Sequence, residues 1–374
     1  MPQKNIEELK YQIALTMAPS IGPITARKLI EKIGSARAVF NQTTGSLQKI
    51  EGIGPFLSRA LNTPGLLSKA ETEIRFLEKH RIEALYFKDP DYPALLTECE
   101  DAPIILYSRG AQGLYSKRSL SVVGTRKATS YGRNLCREII KSLSELTPKP
   151  TIISGLAYGI DVIAHRAALE YGLPTVAVLG HGMDTIYPFS HRETAVKISK
   201  QGALVTDFHS GMGPERNNFL RRNRIIAGLS QGTLVVESAK TGGSLITANM
   251  AFSYHRPVMA VPGRVGDNRS SGCNRLITRE IAAITESAED IIRYLNWDVP
   301  LATKKIIAPE IITSDQEMRL LHSMQSNMGN TPDSLSQLTG IPVHMVLVTL
   351  LEMELKEWIS VEPGNRYKMK ISLE

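Results

Sequence analysis

Between residues 119 and 296 one pattern recurs six times, and more weakly a seventh. Short, β-branched, nearly uniform apolar runs (119–124, 150–157, 174–180, 203–208, 232–238, 257–263 and the weaker 282–287) alternate with stretches of helical periodicity such as 131–146, 159–172 and 244–255. Runs without polar alternation belong to strands buried on both faces. Strand, helix, strand in succession predicts an α/β fold with a parallel, doubly wound sheet. Ligands on such sheets bind beyond the carboxyl ends of the strands, so the turns after the strands are where chemistry is expected.

The flanks read differently. In 1–81, IGPITARKLIEKIG (21–34) and IEGIGPFLSRAL (50–61) each place a Gly-Pro turn before an amphipathic helix. Such a turn exposes backbone N–H groups at a helix start, where a phosphate binds, and the pair is read as helix-hairpin-helix (SAM-like) units. Residues 82–118 read as a connector with one strand, PIILYSRG, packed onto the sheet, so 82–296 is treated as one core. Residues 297–310 read as a linker. In 311–374, three helix candidates precede two short strands around Pro363-Gly364-Asn365, the pattern of a winged helix, with Thr331 and Pro332 as N-cap and first-turn residues.

The chain has 374 residues, 42% hydrophobic and 22% charged, a globular composition for two to four domains. No apolar run approaches the ~18 residues of a membrane helix, and the charged start argues against a secretory leader. Three scattered cysteines suit neither a disulfide framework nor zinc, so a cytoplasmic protein is expected. Lys and Arg number 16 against 13 acids in 1–118, 21 against 14 in 119–296, and 7 against 10 in 297–374. The excess positive charge therefore lies in the sheet domain, which suggests a polyanionic partner.

Four stretches carry the candidate chemistry. VGTR ends the first strand and puts Gly124, Thr125 and Arg126 at the ligand edge; neither G-x-G-x-x-G nor a P-loop occurs, so no dinucleotide or ATP cofactor is expected. SGLAYGID repeats the theme with Ser154 and Gly155, followed by Asp161 and His165 one turn apart on a helix, a pair better suited to fixing the loop than to acid–base work. ERNNFLRRNRIIAG gathers Arg216, Arg221, Arg222 and Arg224 with Asn223 around Phe219. Arginine forks match phosphates and a ring stacks an unpaired base, although Arg222, Asn223 and Arg224 equally suit bracing of loops. Thr241-Gly242-Gly243-Ser244 ends in a helix start, an anion pocket or a close-packing cap, beside Glu237, an acceptor for loop N–H groups or an arginine. No metal set accompanies these residues.

Taken in order, VVGTRKATSYG, SGLAYGIDVIAHRAAL, VAVLGHGMDTIYP, FLRRNRIIAGLSQGTLVVESAKTGGSLITANMAF and PVMAVPG followed by GCNRLI resemble the DNA processing protein A family, DprA/Smf. The resemblance implies an extended Rossmann-like core that forms homodimers, binds and protects single-stranded DNA and hands it to a RecA-type recombinase in natural transformation and recombination, without enzymatic activity. It makes Arg126 a DNA contact, Phe219 a base contact, and Arg216 the counterpart of a DNA-binding lysine. Leu220 stands where relatives usually have proline. Two other classes compete. A nucleotide hydrolase of the lysine-decarboxylase-like group is opposed by the absence of a P-G-G-x-G-T-x-x-E run. A winged-helix transcription factor is opposed by the acidic balance of 297–374, which fits protein contacts better.

Overall fold

A computed structural model describes residues 5–110, 112–297, 314–325, 330–356, 358–362 and 365–369. The chain divides into two compact units, 1–297 and 298–374.

Six helices open the first unit: α1 (Ile6–Met17), α2 (Pro23–Ile33), α3 (Ala36–Phe40), α4 (Thr44–Gln48), α5 (Pro55–Ala60) and α6 (Leu66–His80). Gly22 and Gly54 are the N-caps of α2 and α5, each followed by proline, as the two Gly-Pro turns predict. Next come β1 (Glu83–Tyr86), α7 (Ala94–Thr97) and β2 (Ile105–Arg109). The sequence reading anticipates β2 but not β1, whose stretch EALY opens on a charged residue and lacks the β-branched character of the later runs.

The alternating region follows: β3 (Ser119–Val123), α8 (Ser130–Leu143), β4 (Thr151–Ser154), α9 (Ile160–Glu170), β5 (Thr175–Val178), α10 (Arg192–Gln201), β6 (Ala203–Thr206), α11 (Arg216–Gly228), β7 (Gly232–Val235), α12 (Gly243–Ser253), β8 (Val258–Ala260), α13 (Ser271–Thr278), β9 (Ala283–Ile284) and α14 (Ala288–Tyr294). All seven strand runs are present. They form a nine-stranded sheet in the order β1-β2-β6-β5-β4-β3-β7-β8-β9. From β6 to β9 every pairing is parallel; β2 joins β6, and β1 joins β2, antiparallel.

Strand residues alternate between two buried layers. Leu120 and Val122 of β3, with Ile152 and Leu234, pack beneath α8, α9 and α14. Val123, Ile153, Val178 and Val235 face the opposite layer, whose core runs without interruption through α11 and α12 into Ile13, Leu29 and Leu77 of the first helices. The expected division at 81/82 is thus not a packing boundary. α1 packs on α6 and reaches β2, and the buried Glu73 of α6 accepts the Ser210 N–H at 3.0 Å. At the other end, Trp297 is the last core residue rather than the first of a linker: its indole N–H donates to Gln231 Oε1 at 2.8 Å.

The second unit comprises α15 (Asp315–Gln325), α16 (Pro332–Thr339), α17 (Val343–Leu355) and the antiparallel pair β10 (Ile359–Glu362) and β11 (Arg366–Met369). Thr331 caps α16, its side chain accepting from the Ser334 N–H. Leu320, Leu335, Val346, Leu350 and Ile359 form its core. Pro363, Gly364 and all of the expected linker 297–310 after Trp297 lie outside the described residues. Among the described residues, no single helix is long and apolar enough to cross a membrane.

Candidate nucleic-acid interface

The sheet's strand order reverses at β3, which has β4 on one side and β7 on the other. Past the carboxyl ends of β3 and β7 the following loops diverge and open a cleft of about 1030 Å³. This is the switch point at which doubly wound sheets bind ligands.

The loop after β3 is built by close approach. The Thr125 N–H donates to the Glu237 carbonyl at 2.7 Å, and the Ile160 N–H donates to the Thr125 carbonyl at 3.2 Å. A Cβ on Gly124 would stand 2.5 Å from the Ile160 side chain, and one on Gly159, at φ +78°, 2.1 Å from the Thr125 oxygen. Glycine at both places lets the strand end and the start of α9 touch, and Arg126 projects exposed from the result. Glu237 is buried beneath: its carboxylate accepts the Thr129 N–H at 2.9 Å and the Thr129 hydroxyl at 2.5 Å. It holds the start of α8, an acceptor of loop N–H groups.

The opposite wall is α11. Arg216, Phe219, Leu220 and Asn223, spaced as one helical face, line the cleft. The Phe219 ring lies between two partners, with Tyr187 at 5.7 Å between centroids and the Arg126 guanidinium at 5.9 Å. Gly180 makes room for it, since a Cβ there would come within 2.6 Å of Phe219 Cδ1. The loop carrying Tyr187 is held by His181, whose Nε2 accepts the Tyr187 N–H at 3.2 Å while its Nδ1 faces the Gly182 carbonyl at 2.8 Å. Burial lowers the pKa of His181, which suits this neutral, one-donor, one-acceptor role.

Seven of the expected contact residues are buried or lie off the cleft's open surface, Asn223 and Ser244 among them. Arg222 is buried, and its Nη1 donates to the carbonyls of Gly155, at 2.8 Å, and Val178. Burial pulls its pKa down to about 10, against the pull of the Asp161 carboxylate, so it stays cationic at neutral pH. Arg224 is buried in a 2.5 Å ion pair with Asp207. Ser154 is buried with its hydroxyl donating to the Val122 carbonyl at 2.6 Å, and Gly155 is packed against the Arg222 guanidinium. Arg221 is exposed on another face of α11, its guanidinium 5.2 Å from the Phe208 ring centroid. The arginine run thus splits by helical phase. Arg216 faces solvent across the cleft, while Arg222 sits one turn before the buried Ile225 and Ile226 and turns inward with them.

Asn223 is buried and ties α11 to the start of α12 by donating to the Gly243 carbonyl at 3.4 Å. In the Gly-Gly loop, Gly242 is an N-cap without a side-chain cap, so the first N–H groups of α12 face the cleft unclaimed by any side chain. Thr241 and Gly243 are exposed there. Ser244 is buried and donates to Ser238 Oγ at 2.9 Å, a strut under the loop.

Asp161 and His165 do not form a catalytic pair. His165 is fully buried with its Nδ1 2.7 Å from the Thr175 hydroxyl, and burial lowers its pKa to about 3. Burial raises the pKa of Asp161, opposed by the Arg222 charge and by the Ala157 and Gly155 N–H groups it accepts.

The cleft also contains residues that sequence reasoning passes over: Tyr187, Lys240, Arg275 and Arg279. The two arginines are one turn apart on and just after α13, a spacing visible in the sequence, but nothing local ties that helix to β3. Arg126, Arg216, Lys240, Arg275 and Arg279 are all exposed, and none pairs with a carboxylate among the described residues. Among the described residues the one acid lining the cleft is the buried Asp161.

A doubly wound sheet whose switch point holds exposed cations around an aromatic ring defines a Rossmann-like protein with a cleft suited to polyanions. Residues 83–296 match the family described as DNA recombination-mediator protein A, and 307–365 match the DprA winged helix domain. The chain belongs to the DprA/Smf family. It is 36% identical to Protein Smf of Escherichia coli over 308 residues, 80% of this chain and 81% of that one. Its fold is similar to that of DNA processing protein A from Streptococcus pneumoniae, with TM-score 0.64 and 30% identity over 76% of this chain and 97% of the other. It is also similar to DNA processing protein A from Helicobacter pylori, a structure reported for its single-stranded DNA binding mode, with TM-score 0.52 and 25% identity over 59% and 97%.

Proposed function

We propose that the chain binds single-stranded DNA in the switch-point cleft and helps to load a RecA-type recombinase on it, in recombination and natural transformation. The observation that carries this is the Phe219 ring set among Arg126, Arg216, Lys240, Arg275 and Arg279 without an exposed acid in the cleft. The cations hold backbone phosphates, and the ring offers its face to a base that only an unpaired strand exposes. The start of α12 adds backbone donors for a further phosphate.

In this reading the residues that touch DNA are Gly124, Thr125, Arg126, Arg216, Phe219, Thr241, Gly242 and Gly243, while Arg222, Arg224, Asn223, Ser154 and Ser244 shape the cleft from below. Asp161, His165 and Glu237 are each held in fold-fixing hydrogen bonds, so bound phosphate is held and not cleaved. The protein works as a homodimer through its Rossmann-like core, in the cytoplasm, with the recombinase as its protein partner. The decisive experiment compares single-stranded and duplex DNA binding by the purified protein in the same buffer across a salt series. Equal affinity for the two forms overturns the reading.

A further inference from the structure

We infer that the DNA track does not end at the switch-point cleft but continues over the 185–190 loop into a second groove between α6 and α10. The inference rests on the single-strand reading of the first cleft. This groove, of about 810 Å³, is lined by Phe76 and His80 of α6, by Arg109 at the end of β2, and by Phe189, Arg192 and Lys200 around α10.

Its construction repeats that of the first site. Phe189 is 74% exposed, the most exposed phenylalanine described, and the Arg192 guanidinium lies 6.0 Å from its ring centroid. Arg126 stands in nearly the same relation to Phe219, at 5.9 Å. Arg109, Arg192 and Lys200 are exposed, and none pairs with a carboxylate among the described residues. Asp184, exposed in the groove's lining, accepts the Gly211 N–H at 3.0 Å, and Glu193 pairs with Lys197 at 2.7 Å, so three cations outweigh the one carboxylate in the lining. An exposed phenylalanine among free cations does nothing for the core, whereas a base stacked on it with phosphates at the cations uses every group.

The two sites share a wall. Tyr187 packs on Phe219 in the first cleft, and Phe189, two residues on, lines the second groove. Pro188 between them is extended, at φ −69° and ψ 148°. Two residues of chain separate the rings' backbones by at most about 7 Å, a step that an unpaired strand bridges. Tyr158, which follows the cleft-lining Ala157, is half-exposed with its hydroxyl 3.3 Å from Ser190 Oγ and its ring 4.9 Å from His191. This clasp fixes the loop from the first-cleft side.

The test uses the full-length protein and thymidylate oligonucleotides from about 4 to about 20 nucleotides, with affinity followed against length. The parent protein gains affinity as the strand outgrows the first cleft. Phe189→Ala and Arg192→Gln lose that gain, by roughly 5- to 150-fold for a missing base stack, and bind the shortest strands like the parent. Arg126→Ala weakens binding at every length. Thermal melts of both variants control for folding, and Arg192→Gln, a surface change, keeps the test open if Phe189→Ala unfolds. Variants that follow the parent at all lengths, or that lose short-strand binding equally, overturn the second surface and leave the first cleft standing. A parent protein that binds no single strand of any length overturns the first reading itself.

Discussion

The guanidinium of Arg126, from the turn after β3, lies 5.9 Å from the ring centroid of Phe219, from the middle of α11. The two come from segments more than ninety residues apart and meet where the sheet changes direction. A cation over one part of the ring and Tyr187 beside another leave Phe219 half-buried, fixed in place and still accessible. A ring immobilised in this way loses little entropy when a base stacks on it.

Removing that ring separates stacking from charge. Phe219→Ala is expected to weaken single-strand binding by about 1–3 kcal/mol while the salt dependence keeps its slope. Arg126→Ala and Arg216→Ala are each expected to weaken binding and to reduce the slope by about 0.7 for each phosphate no longer neutralised. Fluorescence anisotropy across a salt series measures both. Parental slopes in the arginine variants would place the phosphates elsewhere.

Gly180→Ala tests the ring's position without touching it. The new methyl would come within 2.6 Å of Phe219 Cδ1 and 3.2 Å of its Cα, so both ring and helix must give way. Overpacking of this kind costs about 1–3 kcal/mol of stability. The expected result is single-strand affinity near that of Phe219→Ala with only a modest fall in Tm; parental affinity would show that the ring's placement is immaterial.

Arg224 distinguishes a brace from a DNA-touching residue. Its ion pair with Asp207 leaves Arg224 Nη1 and Asp207 Oδ1 buried without hydrogen-bond partners. Arg224→Ala strands the aspartate and is expected to cost about 3–5 kcal/mol of stability, whereas Arg224→Met with Asp207→Leu removes both charges and recovers much of the loss. DNA affinity of whatever remains folded is expected to match the parent. Chemical denaturation and binding on the same samples decide it.

His165 gives the fold an acid limit. Its pKa falls from 6.5 to about 3 on folding, so between these values the unfolded chain holds a proton that the native state refuses. Stability from this group is therefore complete above pH 6.5 and declines as pH falls toward 3. His165→Gln is expected to flatten that decline in urea melts taken across the window. An unchanged pH profile would mean that the buried imidazole does not control the acid response.

No phosphate release from ATP and no cutting of labelled single strands is expected, with or without Mg²⁺ or Mn²⁺. Glu237→Gln is expected to lower Tm by loosening Thr129 and the start of α8, with binding retained. Turnover that vanishes in this variant while binding persists would turn the protein into an enzyme.

The sheet is readable from the sequence because strands buried on both faces are dominated by apolar residues, and six such runs stand in order before the half-exposed edge strand β9. Arg126 was readable because a glycine turn at a strand's end can point only toward the ligand edge. In the arginine run helical phase decides what composition leaves open between contact and brace: Arg222 and Arg224 share the density of charge but follow the inward side of α11, and their partners, Gly155, Val178 and Asp207, are remote in sequence. Tyr187 follows β5 and Arg275 and Arg279 follow β8, and they join the site only through the strand order of the sheet, which no local pattern records.

The unbroken core that joins the first six helices to the sheet sets the smallest piece that stands alone. A fragment begun at residue 82 would strip α1 from β2 and α6 from β1, and would remove Glu73, which holds Ser210 at the approach to α11. The exposed inner surface would be sticky, and the helix that carries Phe219 would lose its upstream anchor. Damage in the first 81 residues would thus surface as poor grip on DNA, although no residue there lines the first cleft.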